Sequence, residues 1–309
     1  MTLSPEIVVH GGDYEHALGL AGVHAGVRLG YEAMRVQDIF TGMLETRRFE
    51  ACEFSLANYI TLRAAGQDWL AAVPVFPWRA FRHSLAVTRR ESPLTSLRDL
   101  AGRRIGVEDY SMTAAVWFRG LLQEEYGVDL RSIRWITHAK QRFPFPSGAN
   151  VETTDADLET LLDDGAIDAM LGFAPRDARL PASERTLRTV LPDPIAEERT
   201  YYARTGIFPI MHCVVIRSDV LERHPALPDA VVAAYASAKE RAYQRQLGTT
   251  LVPWSKAHWA DTFEVFSGDP LAYGLTPGNR RVVERLGDYL KQQGFIHSAP
   301  AIEKLFTRP

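Results

Sequence analysis

The sequence lacks several features that would assign it at once to a specialised class of protein. Only two of its 309 residues are cysteines, Cys52 and Cys213, too few for a disulfide framework or a cysteine-liganded zinc site. No apolar run approaches the roughly 20 residues that a membrane-spanning helix requires. The 35 Lys and Arg are balanced by 38 Asp and Glu, without the basic excess of nucleic-acid-binding domains. We therefore expect neither a nucleic-acid nor a membrane partner.

Signals for cofactors and for export are also missing. Neither a Gly-x-Gly-x-x-Gly nor a Walker motif occurs, so we expect no nucleotide, flavin or pyridoxal cofactor. A secretory signal begins with a basic segment, but residues 1–6 contain no Lys or Arg. We therefore expect a cytoplasmic protein.

What remains is the composition of a globular protein with a full hydrophobic core. Hydrophobic residues make up 46% and charged residues 24% of the chain. Short β-branched runs alternate with helical patterns, which predicts βαβ units and a mostly parallel sheet. The predicted strands are residues 6–10, 73–76, 83–88, 104–107, 133–137, 167–171 and 212–217. The predicted helices include residues 113–126, 155–164, 228–248, 277–293 and 299–306.

Repeated helix–turn–strand patterns indicate two lobes. In residues 96–107 a short helix ends at a glycine and leads into a strand, and residues 161–170 follow the same order. Residues 141–154 lie between them and are rich in Pro, Gly and polar side chains, which is typical of a surface loop. We predict a discontinuous first lobe and an inserted second lobe, formed by residues 1–88 plus 208–309 and by residues 89–207.

Three longer stretches carry a specific family resemblance. They are PVFPWRAFRH at residues 74–83, YSMTAAVWFRG at 110–120 and YARTGIFPIMH at 202–212. In this order they resemble the 4,5-dihydroxyphthalate decarboxylase family. DLAGRRIGV at residues 99–107 is similar to the element that opens the second lobe of type II periplasmic-binding-protein folds. The resemblance implies an α/β, two-lobed type II periplasmic-binding-protein-like fold with a cleft between the lobes.

The same resemblance implies an activity. It is the non-oxidative decarboxylation of 4,5-dihydroxyphthalate, or of a related hydroxylated aromatic dicarboxylate, to protocatechuate and CO2. The partner would be a small aromatic acid, no cofactor is expected, and a homo-oligomer is left open. The chain departs from the family pattern at Ala226, Leu271 and Ala272, which stand where aromatic or proline residues are expected. These positions lie outside the site or indicate a different substrate.

A rival function uses the same fold. A solute-binding protein could hold a small aromatic or pyrimidine ligand without any catalysis. Such a protein needs hydrogen-bond donors and stacking surfaces but has little need of acid–base pairs. The titratable groups within the family motifs therefore favour the enzyme.

Removing a carboxylate from an aromatic ring needs groups that hold the acid, move protons and exclude water. Arg79, Arg82 and His83 follow a Phe-Pro pair near a predicted strand end, and arginine forks match carboxylates. We predict that the two arginines bind substrate carboxylates and that His83 transfers protons. The alternatives are ion pairs for the arginines and a satisfied core position for His83.

Further candidates lie where predicted strands meet helices. Tyr110 precedes a helix whose first N–H groups can receive an anion, with Thr113 as a donor and Arg119 as a substrate ligand or a member of a surface pair. Arg204 could bind a carboxylate. His212 begins a predicted strand and could act as a base on a phenol or as an acid toward carbon.

Two more pairs complete the candidate site. Glu53 and Ser55 are two positions apart and would share one face of a strand. Glu53 could orient a histidine, donate the proton itself or form a salt bridge. His10 and Asp13 end the first strand, where open α/β sheets place their ligand crevice.

The predicted site therefore has two classes of residue. The catalytic residues are His83, His212, Glu53 and Tyr110. The substrate-binding residues are Arg79, Arg82, Arg204, Ser55, Thr113, Asp13, His10 and Arg119. A divalent metal would use His10, Asp13, Glu53, His83 and His212, but none of the usual short histidine spacings occurs among them, so we predict no metal.

Overall fold

The computed structural model describes residues 6–172, 177, 179–181, 183–249 and 251–307. The strands are β1 (Ile7–Gly11), β2 (Gly22–His24), β3 (Val27–Ala33), β4 (Ala51–Ser55), β5 (Leu70–Val73), β6 (Ala86–Arg89), β7 (Arg104–Gly106), β8 (Arg134–Thr137), β9 (Val151–Thr153), β10 (Ala169–Leu171), β11 (Leu187–Thr189) and β12 (His212–Arg217). The helices are α1 (Val36–Thr46), α2 (Leu56–Ala64), α3 (Thr113–Tyr126), α4 (Leu158–Asp163), α5 (Pro194–Thr205), α6 (Ser218–Arg223), α7 (Leu227–Leu247), α8 (Ser255–Phe266) and α9 (Pro277–Gln292). These elements confirm the α/β class.

The chain divides into two units, and the first is built from three segments. It contains Met1–Arg79, Ile210–Arg285 and Ser298–Pro309. Its sheet has the order β2-β3-β1-β4-β12-β5, in which β1 runs parallel to β3 and β4. Strand β12 enters from the second segment and runs antiparallel to β4 and β5. The sheet is thus mixed, not mostly parallel as predicted.

Apolar residues of this sheet pack on α7. The buried cluster joins side chains such as Val9, Leu29 and Val214 to Val231 and Tyr235 of the helix. Burying such side chains stabilises a fold by about 1.5–3 kcal/mol each. The sheet is therefore firmly held, and groups at its strand ends are placed by a rigid scaffold.

The second unit contains Ala80–Pro209 and Leu286–His297. Its sheet has the order β11-β6-β10-β7-β8-β9, with β7 parallel to β8 and β10 and with β6 antiparallel to β10 and β11. Helix α5 is capped at its N-terminus by Asp193, whose carboxylate accepts the Ala196 N–H at 3.1 Å. It ends at Gly206, whose φ of 64° is in the left-handed region that favours glycine.

The unit boundaries differ from the predicted ones in three places, the smallest of which is that residues 208–209 fall in the second unit. Residues 80–88 belong to the second unit because β6 pairs with β10 and β11. Residues 286–297 also belong to it, because Tyr289 packs against Trp117 of α3 with ring centroids 5.4 Å apart. Neither partner can be read from a local sequence pattern.

Other predicted elements shifted or shrank. The strand predicted at residues 73–76 is found as β5, three residues earlier, and the helix predicted at 299–306 is a 3-10 turn at Ile302–Lys304. Within the described residues, no helix is both long enough and apolar enough to span a membrane.

Candidate active site

In the first unit, three hydrogen-bond donors meet at one buried carboxylate. Glu53 on β4 has no exposed surface. Its Oε2 accepts the Gly12 N–H at 2.8 Å, and its Oε1 accepts the Tyr14 hydroxyl at 2.8 Å. The Nδ1 of His212 lies 2.5 Å from the same Oε1. Glu53 is therefore arranged as an acceptor that orients a histidine, which was the first of its three predicted alternatives.

The sheet register explains why these groups meet. Strand β4 lies between β1 and β12, and His212 is paired with Ser55 while Val214 is paired with Glu53. Paired residues and residues two apart share one face of a sheet, so Glu53, Ser55 and His212 point the same way. Gly12 follows the end of β1, which brings its N–H to the carboxylate.

Gly12 is required by close packing. A Cβ at Gly12 would lie 2.2 Å from the ring of Tyr14, and one at Gly11 would lie 2.4 Å from the hydroxyl of Tyr31. The Tyr31 hydroxyl donates to the Gly12 carbonyl at 2.6 Å. The Tyr31 hydroxyl therefore holds the backbone of Gly12, the residue whose N–H reaches Glu53.

His212 has one ring nitrogen held and one left for chemistry. Its Nδ1 contacts Glu53, and its Nε2 forms no hydrogen bond within the described part of the chain. Phe40 and Trp78 flank the ring, with centroids 5.0 and 5.5 Å away. The side chain is 13% exposed. Such a carboxylate–histidine pair fixes the tautomer of the imidazole and leaves Nε2 to give or take a proton.

Two side chains beside this pair, Tyr14 and His16, are kept in their neutral forms. Burial and the negative charge of Glu53 raise the pKa of Tyr14, which keeps its hydroxyl protonated as a donor. His16 stacks on Tyr14 with centroids 5.1 Å apart, and its Nε2 is 2.8 Å from the carbonyl of Pro77. Burial lowers the pKa of His16, which favours its neutral form at pH 7.

Three other predicted residues lie in the first unit: two of them contact neighbouring groups of the fold, and the third is exposed. The Ser55 hydroxyl accepts the Asn58 N–H at 3.4 Å and caps α2. His10 contacts Glu32 at 3.3 Å, and it is paired with Cys52, so it lies on the sheet face opposite Glu53. Asp13 is exposed beside the site.

Arg79 is also in the first unit and is engaged within it. Its Nη2 donates to the carbonyl of Ala272 at 2.8 Å and to Oδ1 of Asn279 at 2.6 Å. Ala272 is one of the positions that depart from the family pattern. Because the contact uses the backbone carbonyl, it does not depend on the side chain at this position.

In the second unit, Arg82 and His83 line a small aromatic pocket. Its other lining residues are Trp117, Leu121, Tyr201, Pro209 and Tyr289, and it leaves room for about one water molecule. His83 is 3% exposed, and burial lowers its pKa to about 4. Its Nδ1 is buried and finds no hydrogen-bond partner among the residues that the structure describes. The imidazole is therefore neutral at pH 7, and its Nδ1 is available to hydrogen-bond a small ligand.

Glu198 of α5 is a residue of this region that the sequence did not reveal. Burial lowers the pKa of Arg82, and the charge of Glu198 acts in the opposite direction. Burial raises the pKa of Glu198, which is hydrogen-bonded to Ser84. Only its spacing could have indicated Glu198, because it lies three residues before Tyr201 and so shares a helix face with it. Arg82 is far away in sequence, so no local pattern connects Glu198 with it.

Two predicted substrate ligands of the second unit are used by the fold instead. Arg119 is fully buried and donates to the carbonyl of Tyr110 at 2.8 Å and to Oε1 of Gln293 at 2.7 Å. Arg204 is 57% exposed and forms an ion pair with Glu125. Arg119 is thus a core residue, which neither predicted alternative described, and Arg204 lies on the surface.

Tyr110 and Thr113 are buried at the start of α3. The guanidinium carbon of Arg119 lies 3.9 Å from the Tyr110 ring centre, and Trp135, Phe145 and Phe295 surround that ring at 5.9 Å. Tyr110 is not among the residues that line the His83 pocket. Its catalytic role stays a prediction, and its visible role is to pack the second unit.

The sequence also missed Tyr14 and Trp78. Trp78 lies inside a stretch that carried the family resemblance, so for Trp78 that resemblance was the available signal, whereas Tyr14 lies outside the stretches quoted above. Their roles depend on Glu53 and His212, which are distant in sequence, and no local pattern reports such a contact.

Among the described residues, no group of three or more His, Cys, Asp or Glu is placed to hold a metal ion.

Comparisons with known proteins agree with this architecture. The profile of a family described as the periplasmic phosphonate-binding protein of ABC transporters matches residues 28–250. A 4,5-dihydroxyphthalate decarboxylase from Comamonas testosteroni is 33% identical over 264 residues, covering 81% of this chain and 79% of that protein. Another from Pseudomonas putida is 36% identical over 146 residues, covering 44% of this chain and 57% of that protein.

A solved structure shows the same fold. The periplasmic aliphatic sulphonate binding protein SsuA from Escherichia coli matches with a TM-score of 0.62 and 16% identity, covering 99% of this chain and 93% of that one. The likeness confirms the predicted two-lobed type II periplasmic-binding-protein-like fold.

Proposed function

Because the chain belongs to the 4,5-dihydroxyphthalate decarboxylase family, we propose that it decarboxylates 4,5-dihydroxyphthalate or a related hydroxylated aromatic dicarboxylate. The reaction exchanges one carboxylate of the ring for a proton and releases CO2, so no oxidant or reductant is consumed. With 4,5-dihydroxyphthalate the other product is protocatechuate. The names of the two relatives support this substrate class.

The observation that carries the proposal is the pair formed by Glu53 and His212, 2.5 Å apart. A hydroxyl para to the departing carboxylate pushes electron density onto the carbon that bears it. The protonated imidazole then delivers the proton from Nε2 to that carbon, and the electron pair of the broken C–C bond restores the aromatic ring. Glu53 stabilises the imidazolium before the transfer, and solvent returns the proton afterwards.

Arg82 and His83 have proposed roles that variants can test separately. A buried guanidinium suits a substrate carboxylate, and a neutral imidazole with a free lone pair suits a phenol proton. Arg82→Ala is expected to abolish turnover and to shift the melting temperature by only a few degrees. Full activity in that variant would remove Arg82 from the site. Arg98→Ala, at an exposed position of the same unit, serves as the control.

Ligand capture without chemistry is the second candidate. It is favoured by the match to a family of periplasmic binding proteins and by the likeness to the sulphonate-binding protein. A pure binding protein has no use for an imidazole that a buried carboxylate orients. The Glu53–His212 pair therefore favours the enzyme.

One assay separates the candidates. Purified, EDTA-treated protein is mixed with 4,5-dihydroxyphthalate, and products are followed by liquid chromatography. Protocatechuate formed without added metal is the expected result. Product that forms only after a divalent metal is restored would keep the decarboxylase and add a metal to it. A thermal shift without product would favour a binding protein or a different acid as the substrate.

A further inference from the structure

The backbone of Trp78 is hydrogen-bonded to the segment that carries His212. Its carbonyl accepts the N–H groups of Met211 and His212 at 2.9 and 3.4 Å. The preceding carbonyl, that of Pro77, is 2.8 Å from Nε2 of His16. The segment that carries the indole is thus held to the same strand start that carries the imidazole.

The indole ring contacts both side chains that share Oε1 of Glu53. It meets His212 with centroids 5.5 Å apart and an angle of 67°, and it meets Tyr14 at 5.5 Å and 90°. The side chain is only partly buried, so part of the ring stays available to a ligand. A rigid, partly exposed indole next to a reactive imidazole has the properties of a binding surface for a flat ring.

From this geometry we propose that Trp78 is the surface on which the aromatic ring of the substrate lies, and that it selects planar dicarboxylates over saturated ones. The inference rests on the proposed function. Protonation of an aromatic carbon occurs at the face of the ring. A ring stacked on the indole is inclined to the imidazole plane by the same 67°, so the Nε2–H bond can point at the face of that ring. Parallel planes would direct the proton along the ring edge instead.

Two unreactive competitors isolate this role. Phthalate is planar and cis-cyclohexane-1,2-dicarboxylate is not, and both carry the same two carboxylates. Binding of each is measured by calorimetry in the parent protein, Trp78→Leu, Trp78→Phe and the control Trp254→Leu, whose residue is 71% exposed. We expect the parent and the control to prefer phthalate about tenfold. Trp78→Leu should lose the preference, and Trp78→Phe should keep most of it.

Fluorescence gives a second readout that a structural defect would not mimic. Phthalate should quench the tryptophan emission of the parent and of Trp254→Phe, but quench it much less in Trp78→Phe. An unchanged preference in Trp78→Leu, or no preference in the parent, contradicts the assignment. If the parent converts 4,5-dihydroxyphthalate while Trp78→Leu keeps the preference, only this inference fails. If the parent neither converts that acid nor binds either competitor, the proposed function fails as well.

Discussion

Glu53 Oε1 accepts hydrogen bonds from both Tyr14 and His212, and this shared oxygen couples the two side chains. The phenol limits where the carboxylate can lie, and the carboxylate in turn sets the direction of the imidazole. Fixed second contacts of this kind keep a proton donor aligned through the reaction. In the proposed mechanism, Tyr14 is therefore a positioning residue.

Tyr14→Phe tests this coupling. The variant removes one donor from Glu53 and leaves the stacking with His16 and Trp78 in place. We expect kcat to fall about tenfold with KM nearly unchanged, and the free energy of unfolding to fall by about 1 kcal/mol. Tyr126→Phe is the matched control, because its hydroxyl also meets a glutamate, Glu197, at the surface. A kcat equal to that of the parent would show that Tyr14 does not act through Glu53.

His83→Gln tests the burial of a neutral histidine by the pH dependence of stability. The folded state resists protonation down to about pH 4, whereas an unfolded histidine binds a proton below about pH 6.5. Stability should thus fall as the pH drops from about 6.5 to 4, by about 3 kcal/mol in all from this group. In His83→Gln this component disappears and the curve is flatter. The free energy of unfolding is measured against pH for the variant, the parent and the control His258→Gln. The same pH dependence in all three would contradict the assignment.

Among the strands and helices, the sequence predicted the positions of strands better than it predicted which strands pair with each other. Strand β12 was predicted with the bounds that it has, His212–Arg217, because its β-branched run is bounded by loop residues. Strand β4 was not predicted, although Glu53 within it was. The contact between them depends on antiparallel pairing across 159 residues, and hydrophobic patterns do not encode such a register.

Contacts between helices that are distant in sequence are likewise not encoded in local patterns. The substitution Gly120→Ala measures how tightly one such contact is packed. A Cβ at Gly120 would lie 2.3 Å from the ring of Tyr289. Helix propensity alone favours alanine by about 1 kcal/mol, but overpacking costs about 1–3 kcal/mol. We expect a net loss of about 1 kcal/mol in the free energy of unfolding measured with denaturant.

Gly278→Ala is the matched control for this prediction. It lies in the first turn of α9, where the nearest atom to an added Cβ is 3.9 Å away. This variant should be neutral or slightly more stable. Equal effects of the two substitutions would mean that Tyr289 does not pack tightly on α3.

For the whole molecule, the fold class could be predicted because family motifs and the alternation of strands and helices both pointed to it. The unit boundaries depended on long-range packing, as at β6 and Tyr289, and were less predictable. In the candidate site, the charged side chains stood out but their partners did not. Arg119 and Arg204 resembled substrate ligands in sequence, and only the fold shows that Tyr110, Gln293 and Glu125 engage them.

In the proposed mechanism, His212 delivers the proton that replaces CO2. The most direct test is kcat for 4,5-dihydroxyphthalate in His212→Gln beside His258→Gln, whose residue is exposed on α8. General acid catalysis contributes about 10²–10⁴-fold, so kcat of His212→Gln should fall by that factor while His258→Gln equals the parent. The melting temperature should change by only a few degrees. A folded His212→Gln whose kcat lies within about threefold of the parent would contradict the mechanism.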